Sequence, residues 1–172
     1  NLPKFYLDLK FYKKSLNNNS NPYTPAVNLV FALEEALKMM QEEGLENIFQ
    51  RHEKHKLAVC NAIQALNLKL FAKSNSLSPS ITAIESTQIH AEEFRKIIKD
   101  KYDILLAGGQ DGLKGKIFRV GHLGYVNDRD IMTAISAIGV TLLEQELITA
   151  KEVGQALQIA EKYLKWKFKS KV

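Results

Sequence analysis

Arg119 is the residue whose type and position most directly indicate binding chemistry. It lies in residues 116–121, whose alternating pattern predicts a β-strand with Arg119 and Ile117 on one face and Phe118 and Val120 on the other. A guanidinium offers a fork of donors that matches a carboxylate, and neighbouring glycines let a ligand approach closely. Binding of a substrate carboxylate and a structural salt bridge both explain such an arginine. Spacing alone favours the salt bridge.

Thr24 and Pro25 form a second candidate site, because they suit the start of a helix. Threonine is a good N-cap and proline a good first helical residue, so we predict a helix from here to Gly44. The N-terminus of a helix beside a free hydroxyl group can also bind phosphate. As an isolated signal, the pair indicates a helix cap.

Two further stretches come close to known ligand-binding patterns without meeting their requirements. His52 and His55 are three residues apart, whereas the zinc-protease helix needs histidines four residues apart. We therefore expect no metal site and two partly buried or surface histidines. The glycine-rich loop at residues 108–116 lacks a Ser or Thr after its last lysine and joins two predicted strands, so it indicates a flexible hairpin.

The composition is that of an ordinary globular protein, with 172 residues, 45% of them hydrophobic and 25% charged. No apolar run approaches the roughly 20 residues that a membrane span needs, so we predict a cytoplasmic protein without a membrane partner. The net charge is +5, and several lysines cluster around Trp166 near the C-terminus. These suit a helix end, and no nucleic-acid-binding motif accompanies them, so no nucleic-acid partner is predicted. Cys60, the only cysteine, is predicted to be a buried structural thiol.

The elements that must position the candidate residues form an α+β pattern. Two capping boxes, Asn127 with Asp130 and Thr149 with Glu152, predict the starts of the last two helices. The order of elements indicates helices that cover a small, mostly antiparallel sheet of about four strands. We predict helices at residues 2–16, 25–44, 45–66, 91–102 and after residues 127 and 149, and strands at residues 68–71, 81–86, 103–107 and 116–121.

Two stretches together resemble the alanine–glyoxylate and serine–glyoxylate aminotransferases, a class V group. They are residues 22–29, Pro-Tyr-Thr-Pro-Ala-Val-Asn-Leu, continuing to residues 42–47, and residues 115–124, Gly-Lys-Ile-Phe-Arg-Val-Gly-His-Leu-Gly. Residues 5–8 also resemble the segment that precedes the long helix into the small domain of that family. The similarity covers essentially the whole chain but only the C-terminal part of the family's length, and the start at Asn1 without a methionine also suggests a fragment.

The resemblance implies the small domain of a fold-type I enzyme, which is a homodimer with pyridoxal phosphate. Residues 1–25 would be the C-terminal edge of the large domain or a linker, and residues 26–172 the small domain with its long connecting helix. By position, Arg119 corresponds to the arginine that binds the substrate α-carboxylate. Thr24 corresponds to a threonine that contacts the cofactor phosphate in the neighbouring subunit. The cofactor lysine would lie upstream, so no catalytic residue is assigned and the fragment alone is expected to be inactive.

The implied reaction moves an amino group from serine or alanine to glyoxylate, so the partners are amino-acid and oxo-acid substrates. The same fold serves aspartate, phosphoserine and aminoethylphosphonate transamination and cysteine desulfuration, but the Phe-Arg-Val-Gly-His-Leu-Gly run favours the glyoxylate group. The sequence does not choose the amino donor. A non-catalytic interaction or dimerisation module on the same fold is the alternative.

Overall fold

The structure is a computed structural model that describes residues 3–165. The chain divides into two compact units, Asn1–Leu45 and Glu46–Val172, which we call the N-terminal unit and the C-terminal unit. The domain boundary expected after residue 25 remains a prediction. The aromatic and lysine residues from Trp166 onward lie outside the described residues.

The N-terminal unit consists of a 3₁₀ turn, Phe5–Leu7, and two helices, α1 (Leu9–Asn17) and α2 (Val27–Glu43). Asp8 separates the turn from α1, since its backbone is extended and its carboxylate accepts a hydrogen bond from the Lys10 amide at 3.0 Å. An aspartate in this role starts a new helix. The prediction of one continuous helix over residues 2–16 is therefore wrong.

Helix α2 begins two residues later than predicted. Ala26 has φ −78° and ψ 65°, and the Val27 amide donates to the Pro25 carbonyl at 2.9 Å, which together define an inverse γ-turn. The proline also disfavours a helical conformation at Thr24. Thr24 is therefore not the N-cap and Pro25 is not the first helical residue. The cap position falls to Ala26, which has no side-chain hydrogen bond to the helix.

Gly44 ends α2 as predicted. Its φ of 81° lies in the left-handed region, which glycine adopts without steric cost, and its amide donates to the Met40 carbonyl at 2.9 Å. The next helix starts at once with Leu45.

The C-terminal unit combines helices with an antiparallel sheet, so the α+β class is confirmed. The sheet has three strands rather than about four, and β3 lies between β1 and β2. The elements are α3 (Leu45–Ala65, in this unit from Glu46), β1 (Ile81–Glu85), α4 (Ala91–Tyr102), β2 (Ala107–Gly108), β3 (Ile117–Gly121), α5 (Asp128–Glu144), α6 (Ala150–Leu164) and the 3₁₀ turns Ser74–Ser76 and Asp111–Leu113.

Two predicted strands are shorter in the structure than expected. Residues 68–71 form only an isolated bridge to β1 through Leu70. Residues 103–107 start with Asp103 in the left-handed conformation, where it ends α4. The Leu106 carbonyl accepts a hydrogen bond from Arg95 Nε at 2.8 Å. The Arg95 side chain thus occupies the carbonyl that a neighbouring strand would otherwise bond. Strand β2 is left with two residues.

One buried core joins the helices to a single face of the sheet. The rings of Phe94 and Phe118 lie 5.4 Å apart at its centre. Both predicted capping boxes are present at α5 and α6. Among residues 3–165, no helix is long and apolar enough to cross a membrane. The buried face of the sheet carries Thr82, Ile84, Phe118 and Val120. The other face carries Ile81, Ala83, Arg119 and Gly121.

Candidate functional site

Arg119 lies on the middle strand with a partly exposed side chain. Its Nε donates to the carbonyl oxygen of Gly108 on β2 at 2.9 Å. Because the guanidinium is planar, this bond restricts the direction of the two terminal nitrogens. Within residues 3–165 those nitrogens have no hydrogen bond and no ion pair. The salt bridge that spacing favoured is therefore not found in the described part of the chain.

The neighbours of Arg119 across the sheet are small. Ala83 on β1 and Ala107 on β2 stand directly opposite it, and directly opposite residues share one face of an antiparallel sheet. Two positions along β3 on the same face, Gly121 has no side chain and is exposed. The cross-strand positions beside Arg119 therefore carry only methyl groups, while Ile117, two positions along β3 in the other direction, is buried.

The glycine-rich hairpin joins β2 to β3, as its sequence predicted. Its first residues follow the strand pairing, and the Gly109 amide donates to the Ile117 carbonyl at 3.1 Å. A Cβ atom on Gly109 would overlap the carbonyl group of Leu113, so this position requires glycine. The glycines therefore serve a tight hairpin beside Arg119.

A buried histidine follows β3, and sequence reasoning did not identify it. His122 is fully buried, its Nδ1 lies 3.1 Å from the Pro79 carbonyl oxygen, and its Nε2 lies 2.9 Å from Thr82 Oγ1. Since a carbonyl only accepts, Nδ1 carries the proton, and the Thr82 hydroxyl donates to Nε2. The hydroxyl oxygen then accepts from the Cys60 thiol at 3.5 Å, and the burial predicted for Cys60 is confirmed.

Burial lowers the pKa of His122 to about 4, although its hydrogen bond to the Pro79 carbonyl acts to raise the pKa. The imidazole is therefore neutral at neutral pH. A signal for its burial exists in the sequence, because the strand alternation that places Val120 in the core extends to position 122.

A second polar contact joins α3 to the start of α5. Lys54 Nζ and His55 Nε2 each lie 2.8 Å from one of the two carboxylate oxygens of Asp128. Burial lowers the pKa of His55, although Asp128 acts in the opposite direction. Burial of Asp128 acts to raise its pKa, but the hydrogen bonds from Lys54 and His55 outweigh it and hold the pKa below its usual value.

The expectation of two partly buried or surface histidines is wrong for His55, which is fully buried. His52 is partly buried, as expected. Its Nε2 and His55 Nδ1 are buried atoms without a hydrogen-bond partner among residues 3–165. In the same part of the chain, no group of three or more His, Cys, Asp or Glu side chains could hold a metal ion.

Thr24 lies in the N-terminal unit, just before the inverse γ-turn that leads into α2. Its side chain is exposed, and its hydroxyl has no hydrogen bond to another described residue. The preceding Tyr23 is fixed instead, because its hydroxyl donates to the Phe5 carbonyl at 2.6 Å and its ring packs on Tyr6. An exposed hydroxyl beside a helix N-terminus that lacks a side-chain cap fits a phosphate group.

Comparisons with known proteins agree on one family. Residues 9–125 match the family described as Aminotransferase class-V. The chain is 54% identical over 143 residues to the "Soluble hydrogenase, small subunit" of Synechococcus sp. (strain PCC 6716), a match that covers 83% of this chain and 37% of that protein. It is 33% identical over 168 residues to the serine–glyoxylate aminotransferase of Methylorubrum extorquens, covering 95% of this chain and 41% of that protein.

Solved structures show the same fold. The ureidoglycine–glyoxylate aminotransferase of Bacillus subtilis superposes with a TM-score of 0.81 at 28% sequence identity, covering 91% of this chain and 42% of that one. The chain therefore spans 37% to 42% of the length of these relatives.

Proposed function

Because this chain belongs to the class-V aminotransferase family, we propose that it forms the C-terminal part of a pyridoxal-phosphate-dependent enzyme that moves an amino group from serine or alanine to glyoxylate. The family is established by the match over residues 9–125. The substrates are inferred from the names of relatives and from the Phe-Arg-Val-Gly-His-Leu-Gly run around Arg119.

The arrangement around Arg119 is the observation that carries this proposal. Arg119 lies on a strand between two alanines, and its guanidinium is oriented by one bond to Gly108 and has terminal nitrogens without partners among residues 3–165. A guanidinium in this state can form two parallel hydrogen bonds to a carboxylate. Amino donor and oxo-acid acceptor both carry an α-carboxylate, so one arginine can hold both substrates in turn.

The cofactor contact of this chain is proposed to be Thr24, whose exposed hydroxyl would donate to the phosphate of pyridoxal phosphate in the neighbouring subunit of a homodimer. Pyridoxal phosphate, when bound, withdraws electrons from the substrate α-carbon and carries the amino group between the two substrates. Arg119 orients the α-carbon for that step, and such positioning lowers a barrier by several kcal/mol. The lysine that holds the cofactor is proposed to lie outside this chain, so the chain alone would be inactive.

We further infer that the complete enzyme is a cytoplasmic homodimer. Its partners would be amino-acid and oxo-acid substrates, and neither a nucleic acid nor a membrane. A non-catalytic module that assembles with other subunits is the second candidate. It is favoured by the name of the relative at 54% identity, which describes a subunit of a larger assembly.

Replacement of Arg119 in the complete protein that contains this chain separates the two candidates. Arg119→Ala should lower kcat/KM for both the amino donor and glyoxylate, by a factor that corresponds to about 2 to 5 kcal/mol of lost transition-state stabilisation, because the carboxylate of each substrate is then left unpaired. Arg119→Lys keeps the charge but loses the fork, so it should recover only part of the activity. Pyridoxal phosphate binding should stay unchanged in both variants.

The matched control is Arg129→Ala, because Arg129 is an exposed arginine at the start of α5. It should leave kcat/KM unchanged. Normal turnover by Arg119→Lys together with unfolding of Arg119→Ala would instead assign Arg119 a structural role. Complete absence of transaminase activity in the unmodified protein would favour the non-catalytic module.

A further inference from the structure

Strand β2 lies at the edge of the sheet, so it pairs with another strand on one side only. The Gly109 amide donates to the Ile117 carbonyl on β3, and the backbone groups of successive residues in a strand point to opposite sides. The carbonyls of Leu106 and Gly108 therefore point away from β3, toward the free edge. Backbone hydrogen bonds to β3 alone hold a strand of two residues only weakly.

Two arginines bond to this free edge from opposite faces of the sheet. Arg119 donates to the Gly108 carbonyl from the face opposite the core. Arg95 of α4 approaches β2 from the buried face, and its Nε donates to the Leu106 carbonyl at 2.8 Å. The carbonyls of Leu106 and Gly108 are thus both bonded to arginine side chains.

Arg95 also packs directly against Gly108. A Cβ atom on Gly108 would lie 2.5 Å from Arg95 Nη1 and 2.9 Å from Glu92 Oε1, so these two groups occupy the space that a side chain would need. Arg95 Nη1 forms an ion pair with Glu92 Oε2 at 2.8 Å, which fixes the planar guanidinium in this position. Arg95 therefore holds β2 at two places, the Leu106 carbonyl and the backbone of Gly108.

Building on the proposed role of Arg119, we propose that Arg95 is a positioning residue for the guanidinium that binds the substrate carboxylate. Arg95 fixes β2, and the Gly108 carbonyl on β2 directs the guanidinium of Arg119. If β2 shifts, the terminal nitrogens of Arg119 turn away from the direction in which both can bond to one carboxylate. The contribution of Arg95 thus passes through β2 and Arg119.

The test uses the complete protein and acetate, an unreactive carboxylate, with dissociation constants measured by calorimetry. Arg95→Met keeps the apolar stem of the side chain but loses its hydrogen bonds, and it should weaken acetate binding about tenfold. Arg95→Lys keeps one donor and should weaken binding less. Gly108→Ala is a second route to the same effect, because its Cβ would displace Arg95 Nη1.

The Arg119→Lys background shows whether Arg95 acts through Arg119. A lysine at position 119 binds acetate as a point charge and has no planar fork to direct, so adding Arg95→Met should cause little further loss. An equal tenfold loss in this background would overturn the positioning role, because Arg95 would then act independently of Arg119.

Lys96→Met is the matched control, because Lys96 is the next residue of α4 and is exposed. It should leave acetate binding unchanged. If Arg119→Ala loses acetate binding while Arg95→Met and Gly108→Ala bind acetate like the unmodified protein, the role of Arg95 is refuted and the proposed function stands. If Arg119→Ala binds acetate as the unmodified protein does, carboxylate binding at Arg119 is refuted, and the role of Arg95 with it.

Discussion

The two units carry apolar helices of similar length and pattern but bury them to different extents. Helix α5 has seven buried residues, among them Ile138 and Leu142. Helix α2 has the same 17 residues in length and no buried residue, and its Leu33 and Leu37 are 57% and 49% exposed. Aromatic residues of the N-terminal unit, such as Phe5 and Tyr6, are more than 60% exposed as well.

The N-terminal unit therefore has a large exposed apolar surface. Contiguous exposed apolar surface in a soluble protein marks an interaction site or a liability to aggregate. The chain spans about two fifths of the length of the relatives it matches. The C-terminal unit, in contrast, contains its own buried core.

Hydrogen exchange of the isolated chain gives the largest expected contrast. Amides of α5 should exchange only by global unfolding, whereas amides of α2 should exchange by local opening about 10³-fold faster, since few buried contacts hold that helix. Mass spectrometry of peptides from the two helices measures both rates. Equal protection of α2 and α5 in a strict monomer would contradict the comparison.

A matched pair of leucine replacements tests the same contrast by equilibrium unfolding. Leu142→Ala removes a side chain that is 1% exposed and should lower the free energy of unfolding by about 2 to 5 kcal/mol. Leu33→Ala removes one that is 57% exposed and should change it by less than about 0.5 kcal/mol. Urea titration followed by circular dichroism measures both. A large loss in Leu33→Ala would show that α2 is packed in the isolated chain.

The buried histidines make the stability of the C-terminal unit depend on pH. The pKa of His122 is lowered from 6.5 to about 4, so the folded state binds fewer protons than the unfolded state between these values. The stability contributed by neutral His122 is fully present above the pKa of histidine in the unfolded state, and it is lost as the pH falls toward 4. From about pH 7 to about pH 5 we expect a loss of about 2 kcal/mol from this residue.

His122→Gln removes this titration and should flatten the pH dependence of the urea midpoint. The lowered pKa of His55 acts in the same direction, so part of the dependence should remain. Helix α2 contains no histidine, and its exchange rates, corrected for the intrinsic effect of pH, should not follow this curve. An unchanged slope in His122→Gln would refute the assignment.

The smallest expected effect comes from two threonines. Thr149 Oγ1 accepts from the Glu152 amide at 3.3 Å and caps α6, so Thr149→Ala should cost about 1 kcal/mol. Thr24 does not cap α2, so Thr24→Ala should leave the thermal midpoint of the chain unchanged. Differential scanning calorimetry of both variants provides the comparison. An equal loss of stability in Thr24→Ala would instead show that Thr24 caps α2.

Sequence patterns predicted helices better than strands. The bounds of α4 agree with prediction, and both capping boxes start their helices where expected, because a cap and a 3.6-residue period are local properties. The strand at residues 103–107 failed because Arg95 takes the carbonyl of Leu106, a contact between residues eleven positions apart. The cap at Thr24 failed because an inverse γ-turn centred on Ala26 moves the start of α2 to Val27.

The sequence by itself determined the helices of the C-terminal unit, the fold class and the position of Arg119 on a strand face, since each follows from periodicity and from the chemistry of single residues. Only the tertiary structure decided that Arg119 bonds to Gly108 and lies between Ala83 and Ala107. It also decided that His55 is buried. Strand register and burial arise from contacts between distant residues, and no local pattern specifies which distant residues meet.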